Sequence, residues 1–387
     1  MLPAAVTNGR VVTYAPKAEC TEISDHETAS LARMTEKIAA LKGWRFAGEY
    51  HADMLLADKS PNNPDANEIE VALYFVPKDT LLHAQAAALG IKNENQLFGG
   101  SVPSAVMATK SITHGLIHAE AAAAPGWTGA FAAEVAPVVL NGYSVFCNRD
   151  AHHAARELLK RGQIRVKRAL GIGGSGQFVV ANLIEFEVVL ATIDATECAE
   201  YGIVIEQNLA SVTTYSVGTV TIADLRVSYC GMQNLTLNSK GHHVYGGSTL
   251  RAVRGNFSAL KQLCLPAEAQ LAVTQASIYD AATNAHISGF FASRRNYDVA
   301  QGLDSNGSLC SGVLEPSWRI GGASPAEIAA LEAFATHPNL ISVRTSCHEV
   351  YGAHAAPAHA QIYFCGDDAR VGTLIKYSTV DSYEYCS

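Results

Sequence analysis

Apolar residues along this chain switch between strand spacing and helical spacing, and the order of the two predicts the architecture. Val11-Val12-Thr13-Tyr14 reads as a first strand. Ser24, Asp25, His26 and Glu27 have the spacing of a capping box, and beyond them Leu31, Met34, Ile38 and Leu41 fall on one helical face. Trp44-Arg45-Phe46 and a polar loop over 58–65 lead to a buried strand from Glu70 to Val76, then to a helix through Leu81, Leu82 and Leu89. This alternation predicts a small α/β domain over residues 1–103. A second unit over 104–209 follows, with a helix at Asp150–Arg161, strands on either side of residues 171–176, and a strand Gly202–Ile205. Residues 210–335 are richer in strands: Tyr215–Thr221, Leu225–Cys230, a helix near Ala267–Ala285, and a hairpin turning at Asp304-Ser305-Asn306-Gly307. Residues 336–387 read as a C-terminal tail or extension containing the strand Gln361–Phe364. The expected class is α/β, becoming α+β in the C-terminal half.

Composition narrows the function. With 387 residues, 48% of them hydrophobic, the chain can bury the interior of two or three domains. A net charge of −8 excludes a broad surface for nucleic acid or anionic membrane, so neither partner is expected. Nine cysteines stand singly with no Cys-x-x-Cys, the usage of a reduced cytoplasmic protein. No signal peptide and no run of about 18 apolar residues is found.

The most informative stretch runs from Arg165 to Val180. Lys167 lies on an alternating strand, and Gly171, Gly173, Gly174, Ser175, Gly176 and Gln177 follow. Glycines let backbone N–H groups turn inward on an anion, and a nearby lysine adds a full charge. The spacing Gly171-x-Gly173-x-x-Gly176 imitates a dinucleotide fingerprint, which would suit an NAD(P)-dependent oxidoreductase. That fingerprint needs a helix after the loop, whereas Gln177-Phe178-Val179-Val180 reads as strand. No Gly-Lys-Ser/Thr closes the loop, so it is not a P-loop. A plain glycine-rich hairpin with a surface lysine fits the same residues.

Residues 291–322 form the second notable site. Asp298 lies nine residues before Gly307 and Glu315 eight after it, which sets the two carboxylates nearly opposite across the hairpin. Such a pair needs positive charge between them. A divalent ion with oxygen ligands supplies it, and so would Arg295 or Arg319.

In order, these pieces resemble an ATP-grasp enzyme over roughly residues 70–325. The resemblance implies an N-terminal domain followed by two subdomains clasping ATP. It implies Lys110 and Lys167 on the α- and β-phosphates, with the loop 171–176 closing over the β/γ end. The backbone of Glu206, Gln207, Asn208 and Leu209 would face adenine. Thr213 or Thr214 falls where a glutamate often holds the ribose. Mg²⁺, or Mn²⁺, would be held by Asp298, Glu315 and Ser317, where Ser317 replaces the usual asparagine. Arg295 and Arg319 would steady a γ-phosphate or acyl phosphate as catalytic residues. The activity so implied is ligation of a small-molecule carboxylate, activated as an acyl phosphate, to an amine or thiol. A nucleotide-binding regulatory protein that has lost turnover is the alternative, and a homodimer is allowed. Phe98–Pro103, Thr213–Gly218, Phe290–Gly302 and Ser317–Ser324 are also similar to a proteobacterial family known as domain of unknown function 3182.

The histidines show no metal-binding spacing. His348, His354 and His359 are six and five apart, and the adjacent pairs His152-His153 and His242-His243 point apart on any regular element.

Overall fold

A computed structural model describes residues 9–15, 24–55, 72–171 and 175–385. The polar loop over 58–65, together with Gly173 and Gly174, lies outside the described residues.

The first unit is built on β1 (Arg10–Tyr14), α1 (Asp25–Lys42), β2 (Arg45–Glu49) and β3 (Leu73–Pro77), forming a parallel sheet ordered β2-β1-β3. Met34 and Ile38 of α1 pack on Val11 as the helical stripe predicts. The capping box does not form. The Ser24 hydroxyl is buried without a partner among the described residues, and the Asp368 carboxylate accepts the His26 N–H at 3.1 Å instead. A carboxylate at a helix N-terminus satisfies an orphan donor and meets the positive end of the dipole. The predicted helix through Leu81, Leu82 and Leu89 is shorter. Leu81–Leu82 form β4, which pairs with β5 (Gly100–Val102), and only His83–Ala88 form α2.

After α3 (Gly129–Val135), the central unit is an antiparallel sheet ordered β6-β9-β7-β8. Its strands are β6 (Gly142–Val145), β7 (Ile164–Arg168), β8 (Gln177–Val180) and β9 (Ile203–Gln207). Ile164, Val166 and Ile205 pack on α4 (Asn148–Leu159) and α5 (Leu183–Leu190). Strand alternation therefore turns Arg165 and Lys167 to the opposite face. The chain reaches β9 through α6 (Ala195–Tyr201), ended by Gly202 at φ 76°.

The remainder forms one antiparallel sheet of eight strands, ordered β15-β14-β10-β11-β12-β16-β18-β17. In chain order its parts are β10 (Ala210–Ile222), β11 (Leu225–Leu237), β12 (His243–Arg254), α7 (Phe257–Lys261), α8 (Ala267–His286), β13 (Phe291–Ala292), β14 (Arg294–Leu303), β15 (Leu309–Ser317), α9 (Ser324–Thr336), β16 (Leu340–Tyr351), β17 (Gln361–Asp368) and β18 (Gly372–Tyr385). Of these, β13 stands apart and pairs with β5. Tyr215, Val217, Tyr297 and Val299 face α8, whereas Val220, Tyr229 and Leu250 face α9 and α1. The segment expected as a tail supplies β16, β17 and β18 to the same sheet.

Candidate active site

A six-residue segment, Thr109–His114, joins the central unit to the large sheet. The Thr109 hydroxyl accepts the Ser111 N–H at 3.2 Å and caps a 3₁₀ turn over Lys110–Ile112. Lys110 is thereby buried, donating to the Gly171 carbonyl at 2.7 Å and lying 2.9 Å from a Glu315 carboxylate oxygen. Three residues on, the Thr113 hydroxyl lies 3.0 Å from the Tyr279 hydroxyl of α8. His114 Nε2 lies 3.1 Å from Glu206 Oε2. One short segment thus touches the glycine loop, the hairpin and β9.

Lys167 and Glu206 form a second buried pair at 2.5 Å, each almost fully out of solvent. Burial pushes the Glu206 carboxyl up, but Lys167 and His114 outweigh it and hold its pKa at about 2. Space for this cluster comes from Gly142, cross-strand from Glu206. A Cβ there would meet Glu206 Cβ at 2.8 Å and His114 Cε1 at 3.0 Å. Arg165 donates to Asn208 Oδ1 at 2.9 Å and to Gln177 Oε1 at 3.2 Å, tying the loop's far strand to β9. Gly171 is packed so closely that a Cβ would lie 2.2 Å from the Ser175 carbonyl oxygen, and Gly176 has φ 67°. The N–H groups of Gln207 and Asn208 are bonded to the carbonyls of Asn141 and Gln163, so the expected hinge has these two donors already engaged. Leu209 is buried beside Leu140 and Ala300. Thr213 and Thr214 lie on β10 opposite Gln301 and Ala300.

On the hairpin, Asp298 and Glu315 are direct cross-strand partners. Burial, then the Glu315 charge, pushes the Asp298 carboxyl up to about 6, although Gln233 and Asn296 donate to it. A carboxyl raised this way beside a second carboxylate marks a place short of positive charge, and two such oxygens fit Mg²⁺ or Mn²⁺. The Ser317 hydroxyl is engaged by Arg294 at 3.1 Å.

Arg295 is not brought to this site. It lies on the α8 face of β14, paired with Asp280 at 3.1 Å and bonded to Asn284 at 2.9 Å. Alternation explains the difference: Arg294, Asn296 and Asp298 share one face, whereas Arg295 and Tyr297 share the other. Arg319, just beyond β15, lies within electrostatic reach of Asp79 and Glu315. No carboxylate among the described residues pairs with it, and its guanidinium donates to the Ile320 carbonyl at 2.8 Å. Burial pulls its pKa down while Asp79 pulls it back up.

The sequence reading did not single out Arg294, Glu327, Asn296 or His114. Arg294 grips Glu327 through Nε at 3.0 Å and Nη2 at 2.7 Å, both side chains fully buried, and Nη1 holds the Ser317 carbonyl at 3.0 Å. It pins the end of β15 to α9. Asn296 donates to Asp298 at 2.9 Å and accepts from Tyr229 at 3.1 Å. Counting back in twos from Asp298 reaches both Asn296 and Arg294, which is the signal that was present.

No curated protein matches the chain by sequence. Solved structures do match in three dimensions. An ADP complex of N5-carboxyaminoimidazole ribonucleotide synthetase aligns at 10% identity and TM-score 0.50, covering 98% of this chain and 93% of that one. The Staphylococcus aureus N5-carboxyaminoimidazole synthetase with ADP gives 11% identity and TM-score 0.53, over 97% and 93%. The Aspergillus clavatus synthase with ADP and 5-aminoimidazole ribonucleotide gives 13% and 0.50, over 96% and 94%. The fold is ATP-grasp. Residues 14–378 match the family described as protein of unknown function (DUF3182), and the chain belongs to that family.

Proposed function

We propose that the protein is an ATP- and Mg²⁺-dependent ligase that activates a small-molecule carboxylate as an acyl phosphate for attack by an amine or thiol. The observation that carries this reading is Lys110. Its one ammonium touches both the glycine loop, at Gly171, and the paired carboxylates, at Glu315. The reading supports a cleft that takes phosphates between the two units, with the boundaries 1–103, 104–209, 210–335 and 336–387 as its parts. Lys110 and Lys167 exchange their carboxylate partners for phosphate oxygens, and the loop 171–176 covers them and excludes water. Glu206, Gln207, Asn208 and Leu209 border the adenine end, and Thr213 or Thr214 the ribose. Asp298 and Glu315 hold the divalent ion, which neutralises charge on the β- and γ-phosphates when bound. Arg319, with no carboxylate partner among the described residues, orients the substrate carboxylate and then its phosphorylated form. The amine or thiol forms the new bond to the carbonyl carbon as phosphate leaves.

The test is ADP release across a library of carboxylates and acceptors, titrated with Mg²⁺. Glu315→Gln is expected to keep ATP binding and lose roughly a thousandfold in rate. Unchanged turnover in that variant removes the metal from this hairpin. A second reading, a nucleotide binder without turnover, is favoured by one observation: the Ser317 hydroxyl is engaged by Arg294. ATP binding without ADP release from any acceptor pair would select it.

A further inference from the structure

We infer that His118, Asp150 and His153 form a site for a borderline transition-metal ion such as Zn²⁺, apart from the hairpin carboxylates and independent of the ligase reading. One ligand atom from each lies within 4.8 Å of the others. Asp150 and His153 are three residues apart on α4 and therefore share a helix face. His118 arrives from the loop that follows the Lys110–His114 segment.

Two observations point to a ligand. His118 Nε2 lies 3.7 Å from Asp150 Oδ1, too far for a hydrogen bond. It is close to the roughly 3.4 Å that separates ligands on a tetrahedral ion with bonds of about 2.1 Å. Asp150 is fully buried on α4. Ala122 N–H donates to Oδ2 at 2.9 Å and fixes that oxygen, as outer partners of ligating carboxylates do.

The facing charges are Arg149, whose Nε lies 3.2 Å from Asp150 Oδ1, and Glu120, 3.6 Å from His118 Nδ1. Arg149 opposes a cation, but its side chain is 69% exposed and free to swing into solvent. Glu120 favours one. Two imidazoles and a carboxylate suit Zn²⁺, Co²⁺ or Ni²⁺, whereas the all-oxygen pair Asp298 and Glu315 suits Mg²⁺. His153 is exposed, which leaves one side open to water.

The experiment uses the full chain, stripped with chelator and then titrated with Zn²⁺ by calorimetry and with Co²⁺ by visible absorption, with Mg²⁺ in excess. One equivalent of Zn²⁺ is expected, with Co²⁺ bands of four-coordinate intensity. His153→Ala, on the surface, should fold as wild type and bind Zn²⁺ at least tenfold more weakly. His118→Gln should do the same. Zn²⁺ binding unchanged in both variants, or no binding in wild type, overturns the inference.

Discussion

Asp298 sits in a conflict that its neighbours leave unresolved: two donors stabilise its carboxylate, but burial and Glu315 prevail and its pKa is about 6. Because this is above the unfolded value of 3.8, the folded state holds the extra proton, and stability falls as pH rises from about 4 to about 6. Asp298→Asn removes that penalty. It is expected to raise stability at pH 8 by on the order of 1–3 kcal/mol, with the gain shrinking below pH 6, while Mg²⁺-dependent turnover is lost. Thermal unfolding of both proteins from pH 4 to 8 measures this, and a pH-independent difference would show that Asp298 is not the group responsible. Lys167 teaches a complementary point. Its strand, its loop and its orientation away from the core cluster were legible from alternation alone. Its partner was not, because Glu206 lies far along the chain and meets it only when β7 and β9 pair.

At the scale of elements, the strand-loop-strand of β7 and β8 and the cross-strand register of Asp298 with Glu315 follow from glycine placement and from counting residues to a turn. Two elements were misjudged for one physical reason. Local sequence offers the capping box at Ser24 and a helix through Leu81, Leu82 and Leu89, and distant partners take the first cap and the first two leucines, Asp368 the former and β5 the latter. The resemblance puts Arg295 at the site, but its odd place on β14 turns it to α8. Gly142 had no signal, since its role depends on what β9 puts opposite it. Gly142→Ala is expected to separate Glu206 from His114, costing about 1–3 kcal/mol and weakening ATP binding severalfold. Denaturant midpoints and nucleotide titration check this, and wild-type values in both would show that the pocket tolerates the methyl group.

The whole molecule turns on the eight-stranded sheet, whose continuity hydrophobic patterning could not reveal. Alternation in residues 336–387 predicts a strand but not its neighbour. Its inner residues Val343, Cys347 and Tyr363 share a core with α1, α9, Val220 and Leu250. A chain cut after residue 336 is therefore expected not to yield a shorter soluble protein. It would bare the edge of β12 and one side of α9, and partition into aggregates. Expression of that truncation with recovery from the soluble fraction is the check, and a monomeric, cooperatively unfolding product would mean that 337–385 is dispensable.

The same sheet sets a timetable. β12 pairs on one side with β11, its neighbour in sequence, but on the other with β16, and two hairpin strands and three helices are formed from the chain between them. Closing so long a loop is entropically slow, and docking the hairpin that carries Asp298 and Glu315 on β10 closes one of similar length. The paired carboxylates and the strands that seal the sheet therefore depend on pairings of the same slow class, and until both form the edges of β10 and β12 stay open to other chains.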